Sequence, residues 1–227
     1  MIPLKDENRT ETFPFVTILL IVTNGLVFIW EIFSPLDISI IARLYGAIPY
    51  NLLSFATTPE ALQPIGPFTS VITAMFMHGT FFHLAGNMLY LWIFGDNVED
   101  TLGHVRFLFF YLFSGIAATY IFAVTGPDSL VPMVGASGAI SGILGAYIVL
   151  FPSARVTTLV FFGFFWVMRI PAMLVIGYWA LFQVLNGLLS ESGIQQGGIA
   201  WLAHVGGFVA GLLSVRFWLP GKKYRKF

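Results

Sequence analysis

Six stretches of this chain are too apolar to face water, and they dictate the class of fold. They run over residues 15–33, 81–97, 105–125, 136–151, 170–189 and 199–219. A helix needs about 20 mostly apolar residues to cross a bilayer. Five stretches approach that length, and the fourth is short and rich in glycine. Two further apolar runs, 68–77 and 159–168, are too short to cross and suit the membrane interface. Charged residues make up 10% of the chain, against roughly 25% in soluble domains. Aromatics reach 17%, with 24 Phe, which fits a lipid-facing exterior better than an aqueous core. The expected fold is all-α, a polytopic membrane bundle of six transmembrane helices, with no second domain and no repeat.

The segment 1–14 is polar and of mixed charge, so it reads as a short cytoplasmic lead-in rather than a signal peptide. The six-helix domain occupies 15–219, and 220–227 is a basic tail. Orientation follows from Lys and Arg. Lys5, Arg9, Arg106, Arg155, Arg169, Arg216, Lys222, Lys223, Arg225 and Lys226 fall on one side, and Arg43 alone on the other. That asymmetry places both termini in the cytoplasm of a cell (inner) membrane, and it requires an even number of spans. Loop 34–67 then lies outside, and its apolar content suits a structured interfacial loop. A formal net charge of zero gives no field for nucleic acid. With no cysteine, disulfide and thiol chemistry and Cys metal sites are excluded.

Polar residues inside spans are costly and point to function. The fourth span opens Gly135-Ala136-Ser137-Gly138 and continues through Ser141, Gly142 and Gly145. Small residues at such spacing let helices approach closely, and a serine there is by itself most simply a packing residue. In the sixth span, His204, Gly207 and Gly211 share one helical face. Alone, that histidine reads as an interhelical hydrogen bond. In the second span, His83 and Asn87 share a face, with His78 before them. Their spacing lacks the zinc-protease motif, and no Glu or Asp is expected in the spans nearby, so a zinc site built from His78, His83 and His204 is the lesser reading.

Depth separates these readings. Ser137 starts its span, and His204 lies roughly 7–8 Å into its own at 1.5 Å per residue. His83 and Asn87 lie at a similar shallow depth. Packing residues have no reason to share one layer. A serine nucleophile needs a base, and His204 is the candidate at the right depth on a close-packing face. No carboxylate is placed to complete a triad, so the expected site is a dyad. His83, Asn87 and the backbone N–H of Ser137 are the candidate oxyanion donors. Gly135, Gly138, Gly207 and Gly211 are the expected packing residues at the site.

In these residues the sequence resembles the rhomboid family of intramembrane serine proteases. The matching elements are Gly135-Ala136-Ser137-Gly138, His83-x-x-x-Asn87 with His78 before it, and Ala203-His204-x-Gly206-Gly207 with Gly211, across about 68–217. The resemblance implies a rhomboid-like six-helix bundle with Ser137 as nucleophile, His204 as base and an oxyanion hole that includes His83 and Asn87. It implies no cofactor. It further implies transmembrane protein substrates, cut near the outer face of the bilayer at a helix that unwinds easily, often after a small residue. The fifth span and about 190–198 would gate and cap the site, and part of loop 34–67 would lie in the membrane. Two departures stand out. Thr69-Ser70 occupy the place of a Trp-Arg pair found in many members. Ser141 replaces an aromatic residue that packs on the histidine in some, so the imidazole here must be oriented differently. The alternative reading is a non-catalytic protein of the same fold that binds transmembrane clients. A transporter is a third, but it expects repeats and a midplane site.

Overall fold

The structure is a computed structural model and describes residues 1–54, 63–189 and 200–221. All six apolar stretches are helical: α1 (Phe15–Phe33), α5 (Phe81–Leu102), α6 (His104–Thr125), α7 (Ser137–Leu150), α8 (Ala172–Leu189) and α9 (Trp201–Trp218). Three short helices, α2 (Ile38–Tyr45), α3 (Pro49–Ser54) and α4 (Pro67–Ala74), fill the connection between α1 and α5. Among the described residues, four helices, α1, α6, α8 and α9, are long and apolar enough to cross a membrane. Of the other two, α5 carries Asp96, Glu99 and Asp100 near its end, and α7 has only 14 residues.

The exterior carries many large apolar side chains, while several positions in the interior are polar. On α1 the inward residues include Thr17, Asn24 and Glu31, all buried, while Leu26 and Phe33 are exposed by 62% and 82%. Only an apolar surrounding makes that arrangement favourable. The buried centre is α7, of which almost every residue from Gly138 to Leu150 is enclosed. It packs chiefly against α9, α6 and α5. At 1.5 Å per residue α7 is about 21 Å long, less than the hydrocarbon thickness of about 30 Å. One end of it therefore stops short of the membrane surface.

Polar ties cross between helices. Glu99 at the end of α5 accepts the backbone N–H groups of Val16 and Thr17 at 2.8 and 2.7 Å. Those are among the first donors of α1, which have no partner in their own helix. In the α1–α5 connection, Thr73 donates to the carbonyl of Tyr45 at 2.6 Å and the Gln63 amide to that of Gly46 at 2.7 Å. Ala47 pairs with Met133 beside the start of α7. These bonds anchor the loop without a Trp-Arg pair.

The helical reading omitted one feature. Three antiparallel strands, β1 (Ile2–Asp6), β2 (Arg155–Phe162) and β3 (Phe164–Pro171), form a sheet in the order β1-β2-β3. Gly163 makes the tight β2–β3 turn with φ +73°, a conformation that glycine adopts without strain. Segment 1–14 is thus partly a strand, and the short apolar run 159–168 lies in a β-hairpin.

The sheet is tied to the bundle by Asp6, whose carboxylate accepts from the Asn97 amide and the Tyr147 hydroxyl, both at 2.8 Å. Burial pushes the Asp6 carboxyl up from 3.8 to about 6, with Asp96 acting the same way against the Tyr147 hydrogen bond. The folded chain therefore binds a proton that the unfolded chain has released. This contribution to stability is complete below the ordinary value and is lost as pH rises through about 6. We predict that Tm in detergent falls over that window, and that Asp6→Asn removes this part of the slope.

Candidate active site

The N-terminus of α7 carries the site. Gly135 precedes it at φ +129°, where an L side chain is strained and where a Cβ would stand 2.9 Å from the His83 ring. Its N–H donates to the carbonyl of Ala74 at 2.8 Å, which fixes the entry to the helix. Ser137 is the first residue of α7, so its N–H has no partner within the helix.

The glycine rows bring α9 against α7. A Cβ on Gly207 would collide with the carbonyl oxygen of Gly138, and one on Gly211 with that of Gly142. The two backbones are in direct contact along this seam. At its end, Ser137 Oγ and His204 Nε2 are 2.7 Å apart, a hydrogen-bond distance. The Ser141 hydroxyl instead donates to the carbonyl of Ser137 at 2.6 Å, a back-bond within its own helix.

The imidazole is held from α8, which the sequence reading did not foresee. His204 Nδ1 lies 2.7 Å from Gln183 Oε1, and the Gln183 amide nitrogen donates to the carbonyl of Trp179 at 3.3 Å. That second bond assigns the oxygen to the histidine. An amide oxygen only accepts, so Nδ1 carries the proton and Nε2 is left to accept from Ser137. Trp179 stacks over the ring, with centroids 6.1 Å apart and planes at 29°. Trp201 meets it edge-on at 6.4 Å. The aromatic contact that Ser141 cannot make comes from neighbouring residues on α8 and α9.

The second span is connected differently from the expectation. Asn87 is buried, and its amide nitrogen lies 2.9 Å from His78 Nε2. The His78 backbone N–H donates to the buried carboxylate of Glu31 at 3.0 and 3.2 Å. The expectation that no Glu or Asp stands in the spans near these groups is therefore corrected, because Glu31 projects inward from α1. His78 sits edge-on to His83, with ring centroids 5.1 Å apart. Gln183 and Glu31 were both legible as polar residues within apolar spans.

A cavity of about 220 Å³ gathers the expected residues, lined by His83, Asn87, Ser137, Gln183 and His204 together with aromatic rings. A smaller pocket between His83, Gly135, Ser137, Gly138 and His204 adjoins it. Every sequence-predicted site residue with a side chain thus lies at one place. Among the described residues, no three His, Cys, Asp or Glu side chains group to hold a metal ion. Residues 190–199, which include the expected cap, lie outside the described residues.

Comparison with known proteins follows the same lines. A family model described as a rhomboid domain matches residues 66–220. The chain is 34% identical over 150 residues to Rhomboid protein 1, mitochondrial, of Saccharomyces cerevisiae, covering 63% of this chain and 40% of that protein. It is 29% identical over 159 residues to Rhomboid-like protein 11, chloroplastic, of Arabidopsis thaliana, covering 66% and 52%. It is 32% identical over 164 residues to Rhomboid protease GluP of Bacillus subtilis, covering 72% and 29%. The chain spans about half or less of the length of these relatives.

The seam yields a prediction. Gly207→Val has no space at the Gly138 carbonyl and should lower stability by at least about 2 kcal/mol. Gly25→Ala, with nothing within 4 Å of its Cβ, should change stability by less than about 1 kcal/mol in either direction. Thermal unfolding in detergent compares the two.

Proposed function

The chain belongs to the rhomboid family, and we propose that it is an intramembrane serine endopeptidase acting on membrane-anchored proteins. The observation that carries this reading is the Ser137–His204 contact of 2.7 Å, with the far ring nitrogen held by Gln183. A packing serine and an interhelical histidine need no third group to choose the tautomer. A nucleophile–base pair does.

In this reading Ser137 Oγ attacks the scissile carbonyl and gives its proton to His204 Nε2. The imidazolium keeps its Nδ1–H on Gln183 while the tetrahedral oxyanion forms. The oxyanion is met by the Ser137 N–H, the second N–H of the Asn87 amide and His83. The amine leaves with the proton from Nε2, and water then hydrolyses the acyl-enzyme by the same steps. Glu31 and His78 act on Asn87 by holding its orientation. Six spans with cytoplasmic termini would open the cavity toward the outer side, where a locally unwound transmembrane substrate can reach it. Lysine and arginine placement supports that topology, and the short α7 supports a site below the surface.

Cleavage of a membrane-anchored model substrate in liposomes tests the reading. Ser137→Ala and His204→Ala should each abolish cleavage with Tm retained. Full cleavage by either variant would overturn the mechanism and favour a fold that only binds transmembrane clients.

The supporting residues should show graded effects. Asn87→Ala is expected to lower turnover by roughly 10²–10³-fold. Gln183→Leu leaves the tautomer unspecified and should lower kcat by roughly 10–10²-fold with little change in KM. Gln183→Glu keeps the accepting oxygen and should retain more activity than Gln183→Leu. Equal losses in both variants would remove the orienting role.

A further inference from the structure

The far end of the β2–β3 hairpin is apolar on both faces and covered on neither. Gly163 aside, every side chain from Phe161 to Met168 is exposed by half or more, and Phe162 by 86%. Successive strand residues point to opposite faces. An antiparallel ribbon beside water alternates apolar with polar residues, and this one does not. Polarity changes along the ribbon instead. Arg155, Thr157, Thr158 and Arg169 lie at the base, where the Thr157–Arg169 and Arg155–Pro171 pairs sit, and the aromatic residues lie at the turn.

The surroundings identify what covers the tip. β3 passes into α8 without a linker, and Met173 and Leu174 continue the exposed apolar surface onto the helix flank. A second copy or a protein partner packed on one face would leave the other in water, whereas lipid covers both. Arg155 at the base suits phosphate headgroups, while Arg169 beside it is paired with Glu7 at 3.0 Å. Backbone pairing limits the depth. β1 accompanies β2 only as far as Leu159, and β3 is an edge strand. The outer N–H and C=O groups of the tip need water or headgroups, which the hydrocarbon core does not supply. Aromatic residues are at home in the interface.

We propose that residues 161–168 insert into the interfacial layer of the adjacent leaflet and anchor the start of α8 there. The occupant is lipid, and the depth is shallow. This inference stands on the membrane setting of the bundle and not on the proposed protease activity.

The chain has no cysteine, so a single label is unambiguous. Full-length Phe164→Cys carrying an NBD fluorophore is reconstituted in phosphatidylcholine–phosphatidylglycerol liposomes, beside Glu11→Cys as an exposed control. Emission at position 164 should be blue-shifted from the control. Lipids brominated near the headgroup should quench it at least about twofold more than lipids brominated near the chain end. Emission equal to the control would place the tip in water and overturn the proposal. A blue shift without quenching would assign the tip to a second copy or another protein and would also overturn it. Stronger quenching from the chain ends would overturn the interfacial depth.

Discussion

The rest of the structure depends on two helices whose backbones touch. Lipid offers apolar side chains as good a surrounding as another helix does, so the hydrophobic effect does not drive helices together within it. Association there needs close packing or polar contact. Gly138 and Gly142 on α7 meet Gly207 and Gly211 on α9 with no side chain between them. Ser137 is one residue before the first of these contacts and His204 is three before its partner. The packing that joins the helices therefore also sets the Oγ–Nε2 separation.

Polar ties complete what the glycine seam begins. Glu99 closes the start of α1, and Asp6 links the sheet to α5 and α7. Glu31 reaches the backbone of His78, whose ring meets Asn87. Apart from the His78–Asn87 contact, each tie joins elements distant in sequence, and an apolar setting penalises its loss more than water would. The chain places its few charges where they hold the bundle together, and its leucines and phenylalanines where lipid is expected.

Much of this was legible in the sequence because the same penalty makes polar residues informative. Ser137, His204, His83 and Asn87 stood out against apolar spans, and their common depth brought them together in one cavity. The six helices followed from length and hydropathy. The sheet did not, because a short apolar run such as 159–168 has no period that separates strand from helix, and its partner Ile2–Asp6 is far away in sequence. Gln183 was missed for another reason. A single amide within an apolar helix states no direction, and only the packing of α8 on α9 aims it at the imidazole. Trp179 and Trp201 carried no signal among so many aromatic residues, although they supply the ring contacts that Ser141 lacks.

The position of Gln183 has a consequence for timing. Ser137 and His204, the proposed nucleophile and base, rest on α7 and α9, whose main chains touch. The group that selects the tautomer rests on α8, which packs mainly on α9 and only lightly on α7. An outward tilt of α8 would take the acceptor away from Nδ1, and the imidazole would lose the instruction about which nitrogen to keep bare. The glycine seam would still hold the two side chains together, without the tautomer the proposed reaction needs. On the proposed mechanism, the Ser137–His204 pair would then be competent only while α8 keeps Gln183 against the ring.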